Sequence, residues 1–198
     1  MSKIKLTKNE QKKQKDSLKR FNRYLPTLML KKQQLQLVIR QVESSLKSKK
    51  EQRDKFQQEI LSWVDVFGEE VGFAELVKIK SLIIEDGNIA GVDIPVFKGI
   101  ELEMPEYDLF AEPLWVDTAV ENVSTLLALD EEVKILEKQI ELLDAELRVT
   151  TQRVNLFEKI KIPEARDNIR VIQIYLGGQQ TAKIVRGKMA KNKLVEVS

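Results

Sequence analysis

Catalysis and metal binding need particular side chains, and this 198-residue chain lacks two of the commonest: it contains neither cysteine nor histidine. Disulfides, thiolate zinc sites and an imidazole general base are therefore excluded. Carboxylates are plentiful, but pairs such as Glu131-Glu132 fall on the solvated face of a helical pattern. Nothing beside them would split their pKa values into an acid and a base. Phosphate-cradling loops are missing too: neither G-x-x-x-x-G-K-[ST] nor G-x-G-x-x-G occurs. Gly177-Gly178 is isolated and runs into Gln179-Gln180; it reads as a frayed or kinked stretch of helix, since glycine costs about 1 kcal/mol in a helix interior. The sequence predicts no catalytic residue, no cofactor and no metal.

What remains is charge, and it is segregated. The net charge is only +2. Residues 1–20 nevertheless carry eight basic against two acidic side chains, a net of +6. Residues 183–198 carry five against one, a net of +4. Residues 65–112 carry three basic against twelve acidic, a net of −9. Basic ends suit phosphate, a solvated helix end, or an acidic or polar collar on a partner. No aromatic residue lies within 1–20 or 181–198, and no known nucleic-acid motif accompanies the charge; no nucleic acid is expected on these grounds, but composition does not separate the three readings. No apolar run approaches the ~20 residues of a membrane span, and the polar, basic stretch Met1–Arg23 has no signal-peptide core. A soluble chain without direct membrane insertion is expected.

The elements that must present these charges are long helices. Steps of three and four from Leu18 land on Phe21, Leu25, Leu28, Lys32, Leu35, Ile39, Val42, Leu46, Lys49, Arg53, Phe56, Ile60, Trp63 and Phe67. Only Lys32, Lys49 and Arg53 break the apolar stripe, and a 3-4 repeat of this length is the mark of a left-handed coiled coil. Pro26 predicts a kink or local break. A second stripe holds Leu126, Leu129, Val133, Leu136, Ile140, Leu143, Leu147, Thr150, Val154 and Phe157. Pro163 interrupts it, and Ile169, Ile172 and Leu176 resume.

Between the stripes the texture changes. Val77–Ile84, Ile89–Val92 and Val96–Leu102 are short β-rich runs, and Asp86-Gly87 is a hairpin-turn signal. The reading is a mainly α protein. Residues 1–67 and 113–198 form a long antiparallel two-helix coiled coil, and 68–112 form a small α/β insertion with a β-hairpin at the bend. Facing residues should then have numbers that add to about 180, with helices on the order of 85–115 Å at 1.5 Å per residue.

At the second helix the sequence becomes specific. Thr151-Gln152-Arg153-Val154-Asn155-Leu156-Phe157-Glu158, then Ile162-Pro163, Ile169 and Ile172, resembles the T-x-R-V-N-x-x-E…I-P…I-x-x-I pattern of the D subunits of V/A-type ATPases. Tyr24-Leu25-Pro26-Thr27-Leu28 followed by Lys31-Lys32 and Leu35 resembles that family's P-T-x-x-x-L-K-x-x-L stretch. The chain departs from the pattern at Gly177-Gly178 and matches only loosely at 47–54.

The resemblance implies a non-catalytic central rotor stalk of a proton- or sodium-translocating ATPase or ATP synthase. It also implies partners: the catalytic and non-catalytic subunits of a hexamer, a small central-stalk partner (the F subunit), and a connecting subunit of the membrane rotor. The location implied is the cytoplasmic face of a membrane. Pro26, Arg153, Asn155, Glu158 and Pro163 are its candidate coupling or interface residues. Two other readings fit the same helical hairpin: a structural coiled-coil adaptor or tether, and a basic coiled-coil nucleic-acid binder.

Overall fold

The computed structural model describes residues 4–62, 77–103 and 115–197. In chain order it comprises α1 (Lys8–Leu61), β1 (Lys78–Ile89), β2 (Val92–Glu103), α2 (Val116–Asn155), a π-helical turn (Leu156–Lys161) and α3 (Ile162–Val197). Mainly helical architecture with one antiparallel hairpin between two long helices matches the sequence reading. The expected ends at Phe67 and Pro113, and the flanks of the insertion, lie outside the described residues.

The start of α1 is encoded locally. Thr7 caps it: the Glu10 amide donates to Thr7 Oγ1 at 3.3 Å, the spacing of a capping box. α1 then runs unbroken through Pro26, so the local break expected there does not occur. Pro26 is exposed, so the carbonyl it leaves without a helical donor can be hydrated. α3 likewise continues through Gly177 and Gly178.

The chain forms two compact units, residues 1–32 with 149–198 and residues 33–148. In the second unit Leu35, Ile39 and Val42 of α1 meet Leu143 of α2, with Leu136, Ile140 and Leu147 alongside. Leu35 and Leu143 are completely buried, and truncating either to alanine should cost about 2–5 kcal/mol. Lys49 and Arg53, which break the apolar stripe, are met by acids of α2: Lys49 pairs with Glu132 at 2.8 Å and Arg53 with Asp130 at 3.5 Å. Their stems cover the seam while their heads reach its edge. Facing residues keep the expected sum of about 180 within each unit, as an antiparallel pairing with equal rise requires.

The hairpin corrects the sequence reading at its turn, which is Ala90-Gly91 and not Asp86-Gly87. Ile89 pairs with Val92, while Asp86 and Gly87 sit inside β1 opposite Pro95 and Ile94. Both turn residues have positive φ, 54° and 75°, as a two-residue type I′ loop demands. The Asn88 side chain accepts from the Gly91 amide at 3.1 Å and donates to Asp93 at 2.6 Å, tying the turn shut. Gly87 is needed for space: a Cβ there would lie 2.8 Å from Val96 Cγ2.

From the bend the hairpin folds back over the helices, a placement on which the sequence is silent. Ile94 is buried in the Leu35–Leu143 cluster, with Ile89, Ala90 and Val92 packed against it. The Gln139 amide donates to the Pro95 carbonyl at 2.6 Å. Leu35 is about 39 Å back along α1 from Leu61, and a twelve-residue strand spans about 40 Å. The hairpin is therefore long enough to lie along the helix pair, and burial of its apolar tip holds it there.

Candidate functional site

Residues 1–32 and 149–198 hold the basic ends and all five residues singled out from the sequence. Here α1 and the π-turn after α2 meet through the stacked rings of Phe21 and Phe157, 5.3 Å apart with a 28° interplanar angle. Thr150, Val154, Ile162, Ala165 and Ile172 are buried. The family-like segment splits by face. Val154 lies in the seam, whereas Arg153, Asn155 and Glu158 are exposed. No hydrogen bond or ion pair joins these three side chains to another described residue, and Asn155 makes no side-chain cap to the turn that follows it. Helix-to-helix hydrogen bonding therefore does not account for them.

Pro163 is the second residue of α3, directly after the π-turn. The Ile162 amide donates to Phe157 O, five residues back. Pro163 has no amide to donate, and its ring crowds the carbonyl four residues earlier in a plain α-helix. The wider π geometry relieves that clash, and such turns recur at functional sites. Sequence reading recognised the interruption but not its form. Ile160, three residues after Phe157, hides it in the sequence: it prolongs the 3-4 repeat on paper but stands 55% exposed, and the next buried seam residue is Ile162, a step of five.

Beyond Leu176 every residue to Lys193 is exposed. Large apolar side chains, Ile184, Val185 and Met189, stand 48–62% exposed there, among Lys183, Arg186, Lys188, Lys191 and Lys193. Single exposed apolar residues are ordinary, but a set on one helix marks a contact surface. No helix of the described residues is long and apolar enough to cross a membrane.

Such features define a protein of long paired helices whose chemistry lies on exposed helix faces. The chain belongs to the family of ATP synthase D subunits, whose profile matches residues 10–192. It is 52% identical over 196 residues to the V-type ATP synthase D subunit of Borreliella burgdorferi, covering 99% of this chain and 97% of that one. The V-type ATP synthase D subunit of Chlamydia trachomatis serovar L2 is 34% identical over 199 residues, with 98% and 97% covered. That of Chlamydia pneumoniae is 33% identical over 204 residues, with 96% and 93% covered.

Proposed function

We propose that this chain is the central rotor stalk of a V/A-type ATP synthase or ion-translocating ATPase, passing torque between a catalytic hexamer and a membrane rotor without itself turning over ATP. The observation that carries the reading is the free stretch of α3. An exposed helix bearing Ile184, Val185 and Met189 among basic side chains is suited to a surrounding collar with apolar and acidic groups. The full-length family match supplies the context.

In this reading the working parts are 1–67 and 113–198 as the coiled coil and 68–112 as the insertion. The catalytic and non-catalytic hexamer subunits surround the helical end, and the small F subunit and the rotor-connecting subunit attach elsewhere. The assembly sits on the cytoplasmic face of its membrane. Arg153, Asn155 and Glu158, exposed and unpaired among the described residues, serve as contact residues; Pro26 and Pro163 shape the helices beside them. Two non-identical helices give each angular orientation a different face, which is what lets rotation bias the surrounding sites in turn.

The test is reconstitution. Membranes from the native host, or a co-expressed complex, should lose ATP-driven ion pumping when this chain is omitted and regain it on adding the purified full-length chain. Truncation after Leu176 should abolish the rescue. Pumping that is unaffected by omission would refute the stalk reading. Steeply salt-dependent oligonucleotide binding by the purified chain would instead favour a nucleic-acid role.

A further inference from the structure

Two seams are written on α3, and they differ by one residue. The seam in use runs through Ile162, Ala165, Ile169, Ile172 and Leu176, with Ile162, Ala165 and Ile172 buried. It is out of phase with the repeat that precedes it. Thr150, Val154 and Phe157 keep 3-4 spacing, and the step from Phe157 to Ile162 contains one residue too many. The π-turn absorbs that residue. Without it, one extra residue would rotate everything downstream by about 100°.

The uninterrupted repeat lands on a different set. Continuing from Phe157 by fours and threes gives Lys161, Glu164 and Asn168, then Val171, Tyr175, Gly178, Ala182, Val185 and Met189. The last six are apolar or small, and all six are exposed; Val171, Tyr175, Val185 and Met189 are 43–58% exposed. A second apolar stripe on an exposed helix thus has the phase that the helix would take if the π-turn became α-helix.

Opposing terms separate the two forms. The π form keeps Ile162, Ala165 and Ile172 buried but gives up the tighter α-helical bonding of the turn. The α form regains that bonding but moves Lys161, Glu164 and Asn168, which border a crevice with Ser17 and Phe21 of α1, into the centre of the seam, and it sets the Pro163 ring against the Lys159 carbonyl.

We infer that the Leu156–Lys161 turn is a two-state rotary joint. In the state seen, α3 turns its inner seam towards α1; on conversion of the turn to α-helix, α3 presents the Val171–Met189 stripe in that direction instead. In a stalk, such a joint lets the free end offer either of two faces to its surroundings. This use rests on the stalk reading, but the two states belong to the chain alone and are tested on it.

The chain has no cysteine, so introduced pairs report only the chosen contact. Gln11 lines one crevice with Gln173 and Leu176. Gln11→Cys with Ile172→Cys reports the state seen, and Gln11→Cys with Val171→Cys reports the other. Mild oxidation of the full-length chain should close both disulfides within single molecules.

Excising Lys159 restores a step of four between Phe157 and Ile162, so the inner seam continues as plain α-helix. This should slow the Val171 closure about tenfold or more by removing the second state, and leave the Ile172 closure unchanged, which also shows that the shortened chain folds. Pro163→Ala, which removes the ring that penalises the α form, should speed the Val171 closure several-fold. No Val171 closure in the unshortened chain, equal rates with and without Lys159, or indifference to Pro163→Ala would each show a single-state turn and overturn the proposal.

Discussion

The side-chain amide of Gln139, in the middle of α2, donates 2.6 Å to the carbonyl of Pro95 in β2. It is the polar counterpart of the Ile94 contact, and Gln139 is only 7% exposed. Gln139→Leu keeps the bulk but leaves the carbonyl without its donor, at a cost of about 1–3 kcal/mol. Hydrogen exchange should show the loss as weakened protection of hairpin amides, with α1 amides near Lys49 unchanged. Uniform loss along the chain would mean that the bond does not anchor the hairpin specifically.

Thr150 offers a change in the opposite direction. Its hydroxyl is buried in the seam with no hydrogen-bond partner. Thr150→Val replaces it with a group of the same shape and should stabilise the chain by about 1 kcal/mol, read as a higher urea midpoint with unchanged slope. A lower midpoint would show that the hydroxyl finds a partner in solution.

Arg153, Asn155 and Glu158 are exposed, so replacing all three with alanine should leave helix content intact. In the assembled complex the triple variant should hydrolyse ATP while pumping fewer ions per ATP. Normal pumping from a stably assembled variant would assign these residues to the solvated helix face.

Lys98 sits 2.7 Å from Glu85 across the hairpin. Its hydrogen bond, and then its charge, hold the Glu85 carboxyl below the ordinary glutamate range. The pair's contribution is present above the pKa of the unfolded carboxylate and is lost as pH falls through the depressed folded value. Carbon-detected NMR titration should find Glu85 among the more acidic glutamates, and Lys98→Met should move it up. The pair is exposed, so global stability should barely respond.

Much of the fold was legible because coiled-coil seams are periodic. The stripes from Leu18 and from Leu126 identified the facing helices, and the pairings of Phe21 with Phe157 and Lys49 with Glu132 follow from them. Lys49 and Arg53 looked like flaws in the stripe because their acidic partners are remote in sequence. The hairpin turn was misplaced because Asp86-Gly87 is a turn signal of local reach only. It is overridden by the burial of Ile89 and Ile94 and by Val96, which leaves no room for a side chain at position 87. That the hairpin lies along the helices was not legible, since a strand's pattern does not say which surface it will cover. Of the candidate site, the segment around Arg153 stood out by motif, whereas the second stripe on α3 emerges only when the repeat is counted past Phe157.

Within each unit the seam pairs segments far apart in sequence, so its partners are made at different times. Phe21 and Phe157, like Leu35 and Leu143, lie on the order of a hundred residues apart in sequence, a separation that slows closure. During synthesis at about 5–20 residues per second, α1 leaves the ribosome many seconds before the helix that will cover its apolar stripe. A long amphipathic helix is exposed to the cell for that interval, with the β-strands emerging beside it before the α2 half of their docking surface exists. Production of this protein should therefore be limited by what shelters α1 while α2 is still being made. Slowing translation between Leu61 and Val116 should lower the soluble yield without altering the stability of the molecules that finish folding.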